Sequence, residues 1–260
     1  MTFATGKQSL AGLGGGAPWC SLVQVGYLPF AANMTKALLS LALFLALVSS
    51  CFANDVIGKL RKSAEQGDTV AQLELGFAYA TGNGVTKDPV EAVKWYRKSA
   101  EQGNIDAQYN LGVKYDNGEG VLKDPTEAVK WWRKSAEQEF ATAQYNLGVM
   151  YATGEGVTKD PVEAAKWFKK AAELGLAQAQ FYLGVRYANG EGLLKNSIEG
   201  LAWLNIAAMA GDERMIKWRG VLERRVGPEG TLAAQQRSEQ ILHDIEVAKR
   251  TTTAPDNNTR

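Results

Sequence analysis

Few side chains in this 260-residue chain are equipped for chemistry, and those few lack the company that chemistry needs. His243 is the only histidine, which removes most imidazole catalysis and most metal sites. Ser63, Ser99 and Ser135 recur at a fixed interval, but none stands in a Ser-x-x-Lys context. Gly82-Asn83-Gly84-Val85-Thr86-Lys87 has the glycine content of a phosphate cradle. A P-loop, however, needs its lysine inside Gly-x-x-x-x-Gly-Lys-Ser/Thr after a strand. Here the preceding periodicity is helical and the loop occurs four times, so it reads as a structural turn. Trp95, Trp131, Trp167 and Trp203 offer a carbohydrate platform on composition alone, yet their helical setting in every copy assigns them to the core. No residue is left as a candidate catalyst, cofactor ligand or metal ligand.

The bulk numbers agree with a non-catalytic, globular chain. Hydrophobic residues are 45% and charged residues 22%, an ordinary folded balance. The formal charge of +1 argues against a nucleic-acid binder, which carries a strongly basic surface. Two cysteines are too few for a disulfide scaffold or a four-cysteine zinc site.

Apolar residues cluster near the start. Ala37 to Val48 is a run broken only by Ser40, too short for the roughly 17 to 25 residues of a membrane-spanning helix. It fits the apolar region of a secretory signal peptide spanning 34–53, with Met34-Thr35-Lys36 as the charged start. Ala53 and Cys51 are small enough to precede an ordinary cleavage site, giving an exported protein, periplasmic or secreted. Val48-Ser49-Ser50-Cys51 also resembles a lipobox, which would lipidate Cys51 and give a membrane-anchored lipoprotein. Residues 1–33 precede this signal, and we expect Met34 to be the true start. The alternative is a disordered leader on a cytosolic protein whose apolar run is a short buried helix.

The remainder repeats itself. Ala71, Ala107, Ala143 and Ala179 lie 36 residues apart, as do Gly76, Gly112, Gly148 and Gly184. The register holds for Tyr79, Tyr115, Tyr151 and Tyr187, for the loop glycines such as Gly118 and Gly120, and for the four tryptophans. Each copy predicts two helices. Ala107, Leu111 and Tyr115 form one apolar stripe on the first. Gly112, unfavourable in a helix by about 1 kcal/mol relative to alanine, marks a crowded helix contact. Asp124-Pro125-Thr126-Glu127 opens the second helix with a cap, a proline at the first position and a capping-box glutamate. The second helix buries Ala128, Trp131, Trp132 and Ser135, with Lys130, Arg133, Lys134 and Glu137 opposite. Gly103, Gly175 and Gly211 follow these helices as left-handed terminators, and Glu139 breaks that pattern.

Such units cannot bury their faces alone and must stack. The expected fold is therefore all-α, a right-handed α/α superhelix of 36-residue helix-turn-helix repeats with terminal capping helices. Repeats span 69–104, 105–140, 141–176 and 177–212. Residues 54–68 form an amino-terminal half-repeat, with Lys59 at the tryptophan position. Residues 213–250 form carboxy-terminal capping helices interrupted near Gly227-Pro228-Glu229, and 251–260 are expected to be a disordered tail.

The motif Ala107-Gln108-Tyr109-Asn110-Leu111-Gly112, then Tyr115, Gly118-x-Gly120-Val121, Asp124, Glu127-Ala128, Trp131 and Ser135-Ala136 resembles the Sel1-like repeat, a tetratricopeptide relative with a longer loop. The resemblance covers roughly residues 55 to 249. It implies an adaptor role, often in bacterial envelopes or signalling or in the eukaryotic secretory pathway. Cysteine-rich members are credited with penicillin binding or β-lactamase activity. No cysteine lies within the repeats here, so an envelope hydrolase or penicillin-interacting protein is the secondary expectation. In related solenoids the first helices line a concave groove. Asn110, Lys114, Asn146, Met150, Tyr182 and Arg186 lie away from the apolar stripe and differ between copies, so a protein or peptide partner is expected there. The asparagines suit a peptide backbone, and Lys114 and Arg186 suit carboxylates. No cofactor and no nucleic acid are expected, membrane contact only through a lipidated Cys51, and a monomer.

Overall fold

The computed structural model describes residues 56–253. The expectations for 1–33, for the signal at 34–53 with its Cys51 and Ala53 alternatives, and for residues 254–260 of the tail lie outside the described residues. Among the described residues every regular element is a helix. A short helix α1 (residues 56–65) leads into four helix pairs. These are α2 (Thr69–Thr81) with α3 (Pro89–Glu101), and α4 (Ile105–Asn117) with α5 (Pro125–Glu137). Then come α6 (Ala141–Thr153) with α7 (Pro161–Glu173), and α8 (Ala177–Asn189) with α9 (Ser197–Ala208). Helix α10 (Glu213–Thr253) closes the array, broken at Gly227 (φ 72°, ψ −178°) ahead of Pro228. It extends to Thr253, so the first residues of the expected tail are helical. From α2 onward each helix packs mainly on its neighbours in the chain, the geometry of a solenoid.

Repeated local chemistry produces the repeated helices. Asp88, Asp124, Asp160 and Asn196 cap α3, α5, α7 and α9, each accepting two backbone N–H bonds. The same cap residues donate their own N–H to the carbonyls of Tyr79, Tyr115, Tyr151 and Tyr187 at 2.8–2.9 Å, which ties each loop to the preceding helix. Gly82, Gly118, Gly154 and Gly190 end the first helices in the left-handed region. Glu139 takes a positive φ of 64° where the other copies carry glycine.

The crowded contact expected at Gly112 is real. A Cβ there would lie 2.5 Å from the Trp132 ring, and one at Gly76 or Gly148 would lie 2.7 Å from Tyr96 or Phe168. The missing side chain lets the first helix rest on an aromatic residue of the second. Around that contact Leu75, Leu111, Leu147 and Leu183 are fully buried, and the four repeat tryptophans are 3–8% exposed. Lys98, Lys134 and Lys170 cover the outer face of Trp95, Trp131 and Trp167 at 4.0–4.4 Å.

A polar clasp joins the helices as well. Gln72, Gln108, Gln144 and Gln180 are buried, and each donates from Nε2 to a carbonyl of the preceding second helix at 3.0–3.1 Å. In the first two repeats Gln102 and Gln138 return a bond to Gln72 and Gln108. Leu174 occupies the corresponding place in the third repeat, and the Oε1 of Gln144 is left without a partner. Replacing Leu174, which is 38% exposed, with glutamine should therefore stabilise the fold by about 1 kcal/mol. A urea midpoint that stays put or falls in that variant would contradict the clasp.

Candidate functional site

The 36-residue register aligns one position of each first helix in a row: Glu74, Asn110, Asn146 and Tyr182. The row continues on the first half of α10 at Trp218, because that segment is a fifth first helix. Asp212 caps it as Asp68 caps α2, Met215 is buried at the alanine position, and Gly220 falls at the repeat-glycine position. Glu74 is exposed, Asn110 and Asn146 are half-buried, and Tyr182 and Trp218 are 41% and 45% exposed. Burial pushes the phenol of Tyr109 in the preceding repeat up, and the neighbouring Asn146 side chain partly offsets that shift. This row is an accessible face.

The next row, one turn on, is not the set of exposed side chains expected from the sequence. Met150 is 4% exposed and belongs to the core. Arg186 is 7% exposed, with its guanidinium 5.1 Å over the Phe168 ring and Nη1 donating to the Glu191 carbonyl at 3.4 Å. Burial pushes its pKa down, and its Nε has no hydrogen-bond partner. Lys114 is half-buried and held by Glu119 at 2.5 Å, a contact that lowers the Glu119 pKa. Sequence spacing placed these residues on the right helix but not at the right depth, because the loop that follows each first helix folds back over this turn.

At each end of the row lies an apolar groove. One, of ≈ 600 Å³, is formed by α6, α8 and α10 and lined by Tyr145, Phe181, Tyr182, Trp218, Arg214 and Lys217 among others. Its rings interlock: Tyr182 stacks on Phe168 at 5.4 Å and 11°, and Phe181 meets Trp218 edge-on at 6.3 Å. Burial, with Tyr182 alongside, pushes the Tyr145 phenol up to about 12. The other groove, of ≈ 530 Å³, lies between α1, α2 and α4, where Leu60, Leu73 and Phe77 meet Glu74 and Asp106. Neither Trp218 nor either groove was expected from the sequence. Counting the period one step past Tyr182 would have found the tryptophan.

The three repeat serines are already engaged. Ser99 and Ser135 are fully buried and donate to the Thr69 and Ile105 carbonyls at 2.8 and 3.1 Å. Ser63 donates to Asp68 at 2.9 Å, and His243 is exposed on α10. No group of three or more metal-ligating side chains occurs among the described residues. Asp68 and Asp212 lie below the ordinary carboxylate value of 3.8, Asp68 chiefly through the Ala71 N–H and Asp212 chiefly through the Arg214 side chain. A carboxyl depressed in the folded state stabilises it above the ordinary value, and that contribution is lost as pH falls through the folded value. The melting temperature should therefore drop on acidification below pH 3.8, less steeply in an Asp68→Asn/Asp212→Asn variant, which keeps the capping oxygens. Equal slopes would contradict the assignment.

Residues 69–104, 105–140, 141–176 and 177–212 each match the Sel1 repeat. The chain belongs to the Sel1 repeat family. Members of this family generally act as protein–protein interaction scaffolds and are typically non-catalytic. The fold is similar to that of c5321, a protective antigen of uropathogenic Escherichia coli with an SLR fold. That match has 40% identity and a TM-score of 0.65, over 71% of this chain and 40% of that one. It is also similar to a Sel1 repeat protein from Oxalobacter formigenes, at 36% identity and TM-score 0.60, over 65% of this chain and 49% of that one. Among curated proteins, the secretory immunoglobulin A-binding protein EsiB of Escherichia coli is 43% identical over 66 residues, which are 24% of this chain and 14% of EsiB. The chain thus spans less than half the length of each of these relatives.

Proposed function

We propose that this protein is a non-catalytic adaptor of the cell envelope that holds a protein or peptide partner on the face of its first helices. The observation that carries this reading is the accessible row Glu74, Asn110, Asn146, Tyr182 and Trp218, which changes character from copy to copy while remaining open, as does the neighbouring row Val70, Asp106, Thr142, Gln178 and Arg214 on the same helices. The relative EsiB is by its name a binder of an immunoglobulin, which supports a protein partner for this repeat type. The envelope location rests on the ordered charged, apolar and small-residue regions of 34–53. Cleavage after Ala53 makes the adaptor soluble, and lipidation at Cys51 anchors it. No described helix is long and apolar enough to cross a membrane.

Charge reversal of Arg186 is a poor test, because a buried guanidinium packed on Phe168 cannot be reversed without disturbing the repeat. Asn110→Arg with Asn146→Arg is better, since Glu74, Tyr182 and Trp218 show that longer side chains fit this register position. In an affinity capture from envelope extract, the double variant should lose the partner at least tenfold while its helicity is unchanged. Undiminished capture would overturn the assignment of the face.

A further inference from the structure

The two grooves carry opposite charge. The groove at the α10 end is lined by the cations Arg214 and Lys217 and, among the described residues, by no carboxylate. Asp212 engages Arg214 through Nε and Nη2 at 3.3 and 3.0 Å, so Lys217, with no ion pair among the described residues, is the cation left to meet a ligand. The groove at the α1 end is lined by Glu74 and Asp106 and, among the described residues, by no lysine or arginine. Both grooves use the same face, because their lining residues occupy the same register positions of successive first helices: Asp106 and Arg214, Leu73 and Lys217, Glu74 and Trp218.

Each groove also exposes apolar rings and chains that a partner would cover. Phe77 is 55% exposed at one end, and Trp218 and Tyr182 are 45% and 41% exposed at the other. Partly exposed aromatics in a groove are the usual anchors of binding energy, and a charged rim sets register and direction. Asn110, at the edge of the α1-end groove, and Asn146 beyond it carry amides that suit a peptide backbone in any sequence.

We propose, building on the adaptor reading above, that this face binds a single extended peptide in one direction, with an apolar–basic segment in the α1–α2–α4 groove and an aromatic–acidic segment in the α6–α8–α10 groove. Four helix-to-helix steps from α2 to α10, at about 10 Å each, make a path of roughly 40 Å. An extended chain advances about 3.3 Å per residue, so a segment of about twelve residues reaches both grooves. An acidic residue placed in the α1 end would meet Glu74 and Asp106, and a basic one in the α10 end would meet Lys217. The reverse orientation is therefore opposed at both ends.

The test is selection of random dodecapeptides from a display library on the immobilised full chain, followed by fluorescence anisotropy of the winners. The expected winners carry lysine or arginine with an apolar residue at one end and an aromatic residue with aspartate or glutamate at the other, in a constant order. Their affinity falls at least tenfold with Lys217→Glu or Trp218→Ala, and reversing the peptide sequence abolishes binding. Lys217 and Trp218 are exposed, so both variants fold, which circular dichroism verifies. Winners with no charge polarity, or winners sensitive to Asn110→Arg but indifferent to Lys217→Glu and Trp218→Ala, would overturn the directional proposal and leave the adaptor face standing. Absence of any enriched peptide would overturn both. Concentration-dependent self-association lost with Lys217→Glu, in place of peptide binding, would show a second copy to be the occupant and likewise overturn the proposal.

Discussion

Replacing Gly120 with alanine is expected to destabilise the protein by about 3 kcal/mol, far more than the same change at a loop or cap glycine that no backbone atom approaches. Gly120 has φ 76°, and a Cβ there would lie 2.1 Å from the carbonyl oxygen of Pro89 and 2.3 Å from its carbon. These are backbone atoms at the start of the preceding repeat's second helix, so they cannot rotate aside. The loop of one repeat rests directly on the helix entry of the one before. Gly156 on Pro125 and Gly192 on Pro161 repeat the contact at 2.4 and 2.0 Å. Gly103 supplies the control: its φ is 91°, but no atom lies within 4 Å of the position a Cβ would take. Gly103→Ala therefore carries only the backbone strain of the left-handed region, about 1 kcal/mol. Urea denaturation of the two variants separates the effects. Equal midpoints would mean that close approach between repeats is not what selects glycine at position 120.

Leu111→Ala should cost about 3 kcal/mol by leaving a cavity in the middle of the array. Leu111 is fully buried in a core cluster with Trp131, Trp132 and Leu147, where neighbouring repeats hold the cavity open. Because each repeat contacts mainly its neighbours, a weakened middle repeat also loosens the coupling between the two ends. The expected denaturation curve is lower in midpoint and broader than that of the parent chain. A shift under 1 kcal/mol would show that the repeats pack less tightly than their burial indicates.

The parts of the fold set by local chemistry were readable before any coordinates. Asp124 with Pro125 marks a helix start, Gly118 a left-handed stop and Trp131 a core position, because each acts within a few residues of itself and recurs. The repeat glycine Gly112 announced a close contact, though the sequence did not name Trp132 as the neighbour. Depth was harder to read. Met150 and Arg186 share a helical face with Asn146 and Tyr182, yet they are buried, because the folded-back loop and the neighbouring second helix cover that turn. Helical periodicity reports angle around an axis and carries no information about what lies over it. The grooves were illegible for a related reason. Each is assembled from three helices, and Tyr145, Tyr182 and Trp218 meet only through the stacking of copies. The clasp of Gln108 was hidden in plain view: a glutamine repeated at a buried helical position signals a satisfied polar contact.

On the proposed adaptor reading, the partner sits on the face of the first helices. The most direct measurement is site-specific photocrosslinking in the cells that make the protein. A benzoylphenylalanine replaces Tyr182 in one variant and the exposed Lys130, on the second helix of another repeat, in a second. A discrete adduct is expected from position 182 and none from position 130. Adducts from position 130 alone, or equal adducts from both, would contradict that reading.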